Sequence, residues 1–166
     1  MGYVYGDYMV DVNEIDATDR RILRTIQKDG RISIVRLAAE VNLSKTPCLK
    51  RLRRLEKLGY IKGYRAELDS RKLAQGYLVY VQVSLNNTSL DSLEKFNHEV
   101  RKVEQVLSCH MMSGGYDYLL KIRTSDMDEF RTLLGDVISS LPGIDKTSSY
   151  PVMEDVKDTM TIRIKL

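Results

Sequence analysis

The stretch L-S-K-T-P-C-L-K-R-L-R-R-L-E-K-L-G-Y, residues 43–60, decides the fold of the N-terminal part of the chain. Leucines recur in it at three-residue spacing, which places them on one side of a helix, and lysines and arginines fill much of the other side. The leucines are Leu49, Leu52, Leu55 and Leu58. Ser44 is a typical N-cap and Gly59 a typical stop, so the stretch predicts a basic amphipathic helix.

Two shorter helices are predicted before this basic helix. Asp16 is a typical N-cap for a helix that reaches about Lys28, and Ser33 is one for a short helix over residues 34–41. Asn42 tolerates the left-handed conformation of a tight turn. A short helix, a turn and a basic helix are typical of a helix-turn-helix, although a solvated basic helix in a three-helix bundle has the same spacing.

The segments beside these helices carry weaker patterns. Residues 60–68 alternate around Gly63 and predict a small β-hairpin wing, which gives a winged helix-turn-helix domain over residues 16–68. Residues 1–15 show no clear period and are interpreted as an N-terminal tail. Residues 69–76 are interpreted as a polar linker.

Charge is distributed unevenly along the chain, although its net value is only +3. Residues 16–65 contain 14 Lys and Arg against 5 Asp and Glu, whereas residues 79–166 contain 10 against 13. Such polarisation indicates that the N-terminal part meets a polyanion, with double-stranded DNA as the expected partner. The alternative is that these charges only solvate a helical surface.

Small polar residues and cations near the start of the basic helix are the expected DNA contacts. Side chains there reach base edges, and free backbone N–H groups bind phosphates. Arginines farther along are expected to hold phosphates, which sets affinity rather than sequence preference. The full expected set is Arg31, Ser33, Ser44, Lys45, Thr46, Pro47, Lys50, Arg51, Arg53 and Arg54.

Residues 77–166 predict a second domain with the element order β-α-β-β-α-β, typical of a ferredoxin-like fold, so the chain is expected to be α+β. Strands are expected at residues 77–85, 106–112, 118–123 and 144–153, helices at residues 90–103 and 126–141, and a last strand at residues 161–166. Because two helices cover only one face of the sheet, the apolar alternation of Val79, Val81 and Val83 suggests that the open face packs on a second copy.

The turn S-G-G-Y-D-Y-L, residues 113–119, is the candidate ligand site. Glycines allow a ligand to approach the backbone closely, and exposed N–H groups can hold a carboxylate. Asp117 can accept hydrogen bonds from an ammonium group, so the turn suits an amino acid. An ordinary hairpin turn has the same composition.

Two stretches resemble the Lrp/AsnC family of leucine-responsive and asparagine-responsive regulators. They are D-A-T-D-R-R-I-L-R-T-I-Q-K-D-G-R-I-S, residues 16–33, and L-S-K-T-P-C-L-K-R-L-R-R-L-E-K-L-G-Y-I-K-G-Y, residues 43–64. The resemblance is nearest to the leucine-responsive branch and extends through the C-terminal half. It implies a transcription regulator that binds DNA and senses a small amino acid, with leucine the first choice.

That family resemblance also implies where the effector binds and how the chain assembles. The effector would lie at the 113–119 turn, between neighbouring homodimers that associate into a tetramer or an octamer. The ligand-binding set that it implies is Met111, Ser113, Gly114, Gly115, Tyr116, Asp117, Met127, Ser139, Tyr150, Pro151 and Val152. Two positions depart from the family pattern: Lys45 stands where relatives have proline, and Pro151 stands where they usually have valine.

Other function classes find little support in the sequence. No nucleotide-binding or hydrolase motif is present, so neither a cofactor nor enzymatic activity is expected. Cys109 and His110 are neighbours on a predicted strand and point to opposite faces, and Cys48 and His98 lie in other predicted elements, so a metal site is not expected. An amino-acid-binding regulatory subunit of a metabolic enzyme is the alternative function, and an RNA-binding sheet that uses Tyr80 and Tyr118 is a third. Without an apolar span or a secretory signal, a cytoplasmic, nucleoid-associated protein is expected, with no membrane partner.

Overall fold

The computed structural model describes residues 15–165, and these form two compact units. One unit contains residues 15–67 together with residues 158–165, and the other contains residues 68–157. The sequence placed the boundary between the two domains near residue 68. The predicted second domain, however, extended to residue 166, whereas the last described residues belong to the N-terminal unit. Most of the predicted N-terminal tail lies outside the described residues.

The N-terminal unit is built on three helices, α1 (Ala17–Lys28), α2 (Ile34–Glu40) and α3 (Lys45–Lys57). The Asp16 carboxylate accepts a hydrogen bond from the Asp19 backbone N–H, and the Ser33 hydroxyl accepts one from that of Arg36, so both predicted caps form. Asn42 has the expected positive φ of 57°, and Gly59 follows α3 with a φ of 78°. The helices meet in an apolar core that consists of Ile22, Leu37, Ala38, Val41, Cys48 and Leu55.

The predicted β-hairpin wing over residues 60–68 does not form, since that segment contains no strand. Tyr60 and Ile61 are neighbours in sequence, yet both pack against the core of the N-terminal unit. Successive residues of a strand point to opposite faces, so this packing is incompatible with the predicted alternation. The Tyr64 hydroxyl also donates a hydrogen bond to the Glu56 carboxylate at 2.9 Å, which holds the segment against α3.

The C-terminal unit contains a four-stranded antiparallel sheet in the order β2-β3-β1-β4, with helices between the strands. Its elements are β1 (Tyr77–Leu85), α4 (Leu90–Val100), β2 (Val106–Met111), β3 (Tyr118–Thr124), α5 (Met127–Asp136), a 3₁₀ helix (Ile138–Ser140) and β4 (Ile144–Pro151). This is the predicted ferredoxin-like arrangement. The predicted linker, residues 69–76, forms a turn in which the Asp69 carboxylate accepts hydrogen bonds from the N–H groups of Arg71 and Lys72.

Val79, Val81 and Val83 lie on the helix-covered face of the sheet, where they pack with Phe96 and other core residues of the same chain. The inference that these valines mark a face for a second copy is therefore wrong. The open face instead carries the alternating residues of β1, and Tyr80 pairs with Tyr150 there while Gln82 pairs with Ser148. This face is mixed, with aromatic and polar side chains.

Several predicted elements end earlier than expected, and the predicted last strand, like the hairpin, is absent from the described residues. The helix predicted for residues 126–141 ends at Asp136, because the hydroxyls of Ser139 and Ser140 donate hydrogen bonds to carbonyls of its last turn. The helix that begins at Leu90 ends at Val100 rather than at residue 103. The predicted last strand does not form within residues 161–165, which contact α1 instead.

Candidate DNA interface and ligand site

The basic helix α3 presents a solvent-exposed stripe on the side opposite its core residues. Cys48 and Leu55 of this helix are completely buried. The stripe, which we name the basic stripe, follows the spacing of three and four residues that aligns side chains along one helical face. It consists of Thr46, Lys50, Arg53 and Lys57, all exposed. Lys57 is missing from the predicted DNA-binding set, although the same spacing identifies it.

The start of α3 is exposed and lacks a side-chain cap. Ser44 occupies the N-cap position, but its hydroxyl makes no capping hydrogen bond, contrary to the expected role. Lys45 is exposed in the first turn, and Pro47 is half-buried there. Because the first N–H groups of a helix have no partner within it, this end offers donors to an anion beside the Lys45 ammonium group.

Two of the predicted phosphate-binding arginines are ion-paired with the start of α1. The guanidinium group of Arg51 contacts Asp16 at 2.6 Å and Asp19 at 2.9 Å, and that of Arg54 contacts Asp19 at 2.5 Å. The hydrogen bond to Asp19 is the main reason that the pKa of Arg51 is raised. Arg51 and Arg54 therefore lie beside the basic stripe, and their guanidinium groups form ion pairs within the fold.

Asp19 is the central residue of this cluster, and its carboxylate is completely buried. It also accepts a hydrogen bond from the Asp16 backbone N–H at 3.2 Å, which completes a capping box. The pKa of Asp16 is lowered, chiefly by the hydrogen bond from the Asp19 backbone N–H. Local sequence rules give Asp19 only a favourable position in the first turn of a helix, because its arginine partners lie 32 and 35 residues away.

Arg31 and Ser33, the remaining members of the predicted DNA-binding set, lie before α2. Arg31 is exposed in the turn that follows α1, and its backbone N–H donates a hydrogen bond to the Asp29 carboxylate at 3.0 Å. The Ser33 hydroxyl caps α2. In the described chain, therefore, Ser33 already has a structural role, whereas the Arg31 side chain points into solvent.

The predicted ligand turn joins β2 to β3 at one end of the sheet. Gly114 and Gly115 have no positive φ, and a Cβ atom on either would meet nothing within 4 Å. The fold of the single chain therefore does not require glycine at these positions. Room beside the backbone is what a bound ligand or a second copy needs.

Asp117 is fixed to β1 through both its backbone and its side chain. Its N–H donates a hydrogen bond to the Val83 carbonyl at 2.9 Å, and its carboxylate Oδ2 accepts one from the Leu85 N–H at 2.7 Å. The sequence predicted that this carboxylate binds the ammonium group of the ligand. In the structure, one of its two oxygens accepts a hydrogen bond that closes the turn. Met111 lies at the same end, where it pairs with Tyr118.

The other predicted ligand residues lie mainly along β1, before its contacts with the turn. Tyr150 and Pro151 pair with Tyr80 and Val79, and the Tyr77 hydroxyl contacts the Met127 sulfur at 2.9 Å. The turn contacts Val83 and Leu85, three to six residues farther along β1, about 10–20 Å away at about 3.3 Å per residue. The Tyr150 hydroxyl donates a hydrogen bond to the Gln82 side chain at 3.3 Å, so Tyr150 reaches toward the turn, whereas Pro151 and Met127 lie farther from it.

Val152 and Ser139 complete the predicted ligand set, and each has a partner in the fold. The Val152 N–H donates a hydrogen bond to the Leu78 carbonyl at 2.9 Å, which places Val152 with Tyr150 and Pro151. The Ser139 hydroxyl donates one to the Leu134 carbonyl at 2.7 Å. Ser113 is exposed in the turn, and Tyr116 is half-buried there.

Side chains that would support other chemistries are buried or dispersed. Tyr118 is 1% exposed and packs on Phe96 with ring centroids 4.4 Å apart, so it offers no platform for an RNA base. Burial raises the pKa of Cys109 to about 11 and also raises that of Cys48. Within residues 15–165, no group of three His, Cys, Asp or Glu side chains is arranged to hold a metal ion, and no helix has the length and apolar character to cross a membrane.

Comparisons with known proteins match both halves of the chain. Residues 15–62 match the winged helix-turn-helix DNA-binding family, and residues 78–162 match the Lrp/AsnC ligand binding domain. The leucine-responsive regulatory protein of Escherichia coli is 48% identical over 152 residues, which cover 92% of this chain and 93% of that protein. The protein of the same name from Klebsiella pneumoniae has the same identity and coverage.

Solved structures agree with these sequence matches. A transcriptional regulator from Neisseria meningitidis in complex with L-Met is similar with a TM-score of 0.85 and 35% identity, over 90% of this chain and 96% of that one. An AsnC family transcriptional regulator from Agrobacterium tumefaciens has a TM-score of 0.85 and 32% identity, over 90% and 97%.

Proposed function

Because this chain belongs to the Lrp/AsnC family of transcriptional regulators, we propose that it binds promoter DNA through α3 and changes its DNA affinity or assembly when a small apolar amino acid binds. The proposed effector is leucine or a similar side chain such as methionine. The chain acts as a homo-oligomer in the cytoplasm and catalyses no reaction.

The basic stripe carries the proposed DNA contacts. Lys50, Arg53 and Lys57 extend along the helix from Thr46, on the face that the core leaves open. Thr46 and Lys45, at the start of the helix, are the candidates for base contacts, and the cations farther along are the candidates for phosphate contacts. The family resemblance implies proline at the position of Lys45, so the preferred DNA sequence is expected to differ at the position that Lys45 reaches.

Arg51 and Arg54 have an indirect role in this proposal. Their ion pairs with Asp16 and Asp19 fix α3 against α1, which orients the basic stripe. Because α3 is already fixed against α1 before it meets DNA, less conformational entropy is lost on binding, which favours affinity. We therefore propose that Arg51 and Arg54 position α3 and do not themselves bind phosphate.

The names of two relatives support an apolar amino acid as the effector. The 48% identical proteins are named leucine-responsive, and the 35% identical structure contains L-Met. The 113–119 turn offers room beside its backbone, while Tyr150 and Pro151 pair with Tyr80 and Val79, three to six residues along β1 from the contacts of the turn. A site shared between copies of the chain would bring both groups to one ligand, which supports the proposed assembly of dimers into a tetramer or an octamer.

Fluorescence anisotropy of labelled promoter DNA tests this proposal. We expect binding that is selective for some promoter sequences, weakens steeply with salt and shifts when leucine or methionine is added. Light scattering on the same samples shows whether the amino acid changes the oligomer. A well-folded protein that binds no duplex at low salt contradicts the DNA role and favours the regulatory subunit of a metabolic enzyme.

A further inference from the structure

The C-terminal segment, residues 158–165, returns to the N-terminal unit and is held there by Gln27 of α1. The Gln27 side-chain amide donates a hydrogen bond to the Ile162 carbonyl at 2.9 Å and accepts one from the Ile162 N–H at 2.9 Å. One side chain thereby satisfies both backbone groups of a residue that belongs to no sheet. The pairing imitates the two hydrogen bonds that a neighbouring strand would make.

A second contact on the same face of α1 sets the direction of the segment. The Arg20 guanidinium group donates a hydrogen bond to the Lys165 carbonyl at 3.2 Å. Arg20 and Gln27 are seven residues apart, which is two helical turns and about 10 Å. Three extended residues from Ile162 to Lys165 cover about the same length, so the segment runs antiparallel to α1.

The chain that leads to this segment comes directly from the ligand-binding unit. β4 ends at Pro151, and Val152 is still hydrogen-bonded to Leu78 of β1. Only five residues separate Val152 from the start of the segment at Asp158. Tyr150, Pro151 and Val152 are proposed ligand residues, so a ligand that moves them also moves the chain that Gln27 holds.

Arg123 of β3 contacts both segments that connect the two units, the 69–76 turn and the residues that follow β4. Each contact lies within the C-terminal unit. Its guanidinium group donates hydrogen bonds to the Ser70 hydroxyl at 2.9 Å and to the Gln75 carbonyl at 3.2 Å, both in the 69–76 turn. The same group lies 3.9 Å from the Asp155 carboxylate, on the outgoing connection. Only 15% of the Arg123 side chain is exposed.

We propose that the segment over residues 158–165 is a strap that transmits the state of the ligand site to α1, with Gln27 as the positioning residue that engages it. This role rests on the proposed function, because it describes how the same effector acts on DNA binding. Through Asp19 and the two arginines, α1 supports the helix that carries the basic stripe. A shift of the strap therefore reaches the DNA contacts through neighbours that are already packed together.

The test compares Gln27→Met with the intact protein. Methionine has nearly the same length but lacks both hydrogen-bonding groups, and Gln27→Glu keeps an acceptor while losing the donor. Gln105→Met, in the C-terminal unit, is the matched control. Three quantities are measured for each: hydrogen exchange at the Ile162 amide in the free protein, DNA affinity without amino acid, and the ratio of DNA affinities with and without leucine or methionine.

We expect Gln27→Met to accelerate exchange at Ile162 about fivefold to tenfold, as the loss of one hydrogen bond predicts. The affinity ratio should move toward one in Gln27→Met, partly toward one in Gln27→Glu, and stay at the intact value in Gln105→Met. Basal DNA affinity should change less than twofold in all three.

Unchanged exchange at Ile162 in Gln27→Met overturns the strap itself. Faster exchange with an unchanged affinity ratio makes the contact a stabilising one only and overturns the transmitting role. If the intact protein binds DNA but responds to neither amino acid, the effector proposal fails and the transmitting role fails with it. In that case, faster hydrogen exchange at Ile162 in Gln27→Met would still show that the strap is present, so the two failures can be distinguished.

Discussion

The Arg51 guanidinium group donates a hydrogen bond of 2.9 Å to the fully buried carboxylate of Asp19, and this ion pair joins α3 to the first turn of α1. Arg54 binds the other oxygen of the same carboxylate. A buried charge is tolerated only when it is paired and hydrogen-bonded, so Asp19 depends on both arginines. The orientation of the basic helix is thus set by residues that lie outside its exposed face.

Replacing Asp19 by alanine should lower the free energy of unfolding by about 2–4 kcal/mol, since two charge-assisted hydrogen bonds and half of the capping box are lost. The arginines remain partly exposed and can turn to water, which keeps the loss below the upper values known for buried pairs. Urea unfolding measures it. Asp16→Ala, at a half-exposed side chain, should cost only about 1 kcal/mol. Equal losses in the two variants would contradict a central role for Asp19.

Alanine substitutions along the basic stripe should lower DNA affinity and also its dependence on salt. Each lost phosphate contact reduces the slope of log affinity against log salt by about 0.9. We expect this reduction for Lys50→Ala, Arg53→Ala and Lys57→Ala. Fluorescence anisotropy at salt concentrations from about 50 to about 200 mM measures the slope. Arg131→Ala, an exposed arginine of α5, is the control and should leave the slope unchanged. An unchanged slope in the stripe variants would place the phosphate contacts elsewhere.

How much of this arrangement the sequence predicts depends on the distance between the interacting residues. The caps at Asp16 and Ser33 act within three residues, and both were predicted correctly. The strand β1 was also correct, because its β-branched residues fill a continuous core. Local propensity and periodicity are sufficient for such elements.

The rest depends on partners that are far away in sequence. Alternation identified an apolar face at Val79, Val81 and Val83 but did not say whether helices of the same chain cover it. The basic spacing of α3 did not separate Lys50 and Arg53, which face solvent, from Arg51 and Arg54, which pair with Asp19. Residues 161–166 have the alternation of a strand, whereas the partner of Ile162 is a side-chain amide. No one-dimensional pattern carries that information.

Stability should decrease as the pH falls below about 4, and Asp16 should contribute to that decrease. The pKa of Asp16 is lowered from 3.8, mainly by the hydrogen bond from the Asp19 backbone N–H. A carboxyl whose folded pKa is lowered contributes stability above its unfolded pKa and loses it as the pH falls through the folded value. The free energy of unfolding should therefore fall less steeply in Asp16→Asn than in the intact protein as the pH is lowered from about 6 to about 3, a range that includes the ordinary carboxyl pKa values. Parallel curves for the two proteins would show that Asp16 does not titrate in this window.

The two thiols should resist modification in the native protein. Burial raises the pKa of Cys109 to about 11 and raises that of Cys48, which is completely buried. Only the thiolate reacts, and with a pKa of about 11 roughly one Cys109 in a thousand is ionised at about pH 8. Alkylation followed by mass spectrometry should show slow labelling that accelerates at least about a hundredfold on unfolding. Native labelling at the rate of a free cysteine would contradict the burial of that thiol.

Gly114 and Gly115 allow ligand binding to be separated from folding. Neither has a positive φ, and a Cβ on either meets nothing within 4 Å, so Gly114→Ala and Gly115→Ala should change the free energy of unfolding by less than about 1 kcal/mol. If the proposed effector lies against this backbone, the added methyl group occupies its space, and the affinity for leucine or methionine should fall about tenfold or more. Thermal unfolding and isothermal calorimetry on the same samples measure the two quantities.

Gly59→Ala provides the opposite control, since its φ of 78° should make it destabilising by roughly 1 kcal/mol with unchanged effector affinity in the folded protein. Full effector affinity in both turn variants would exclude close approach of the ligand to this backbone and would move the site toward Tyr150 and Pro151.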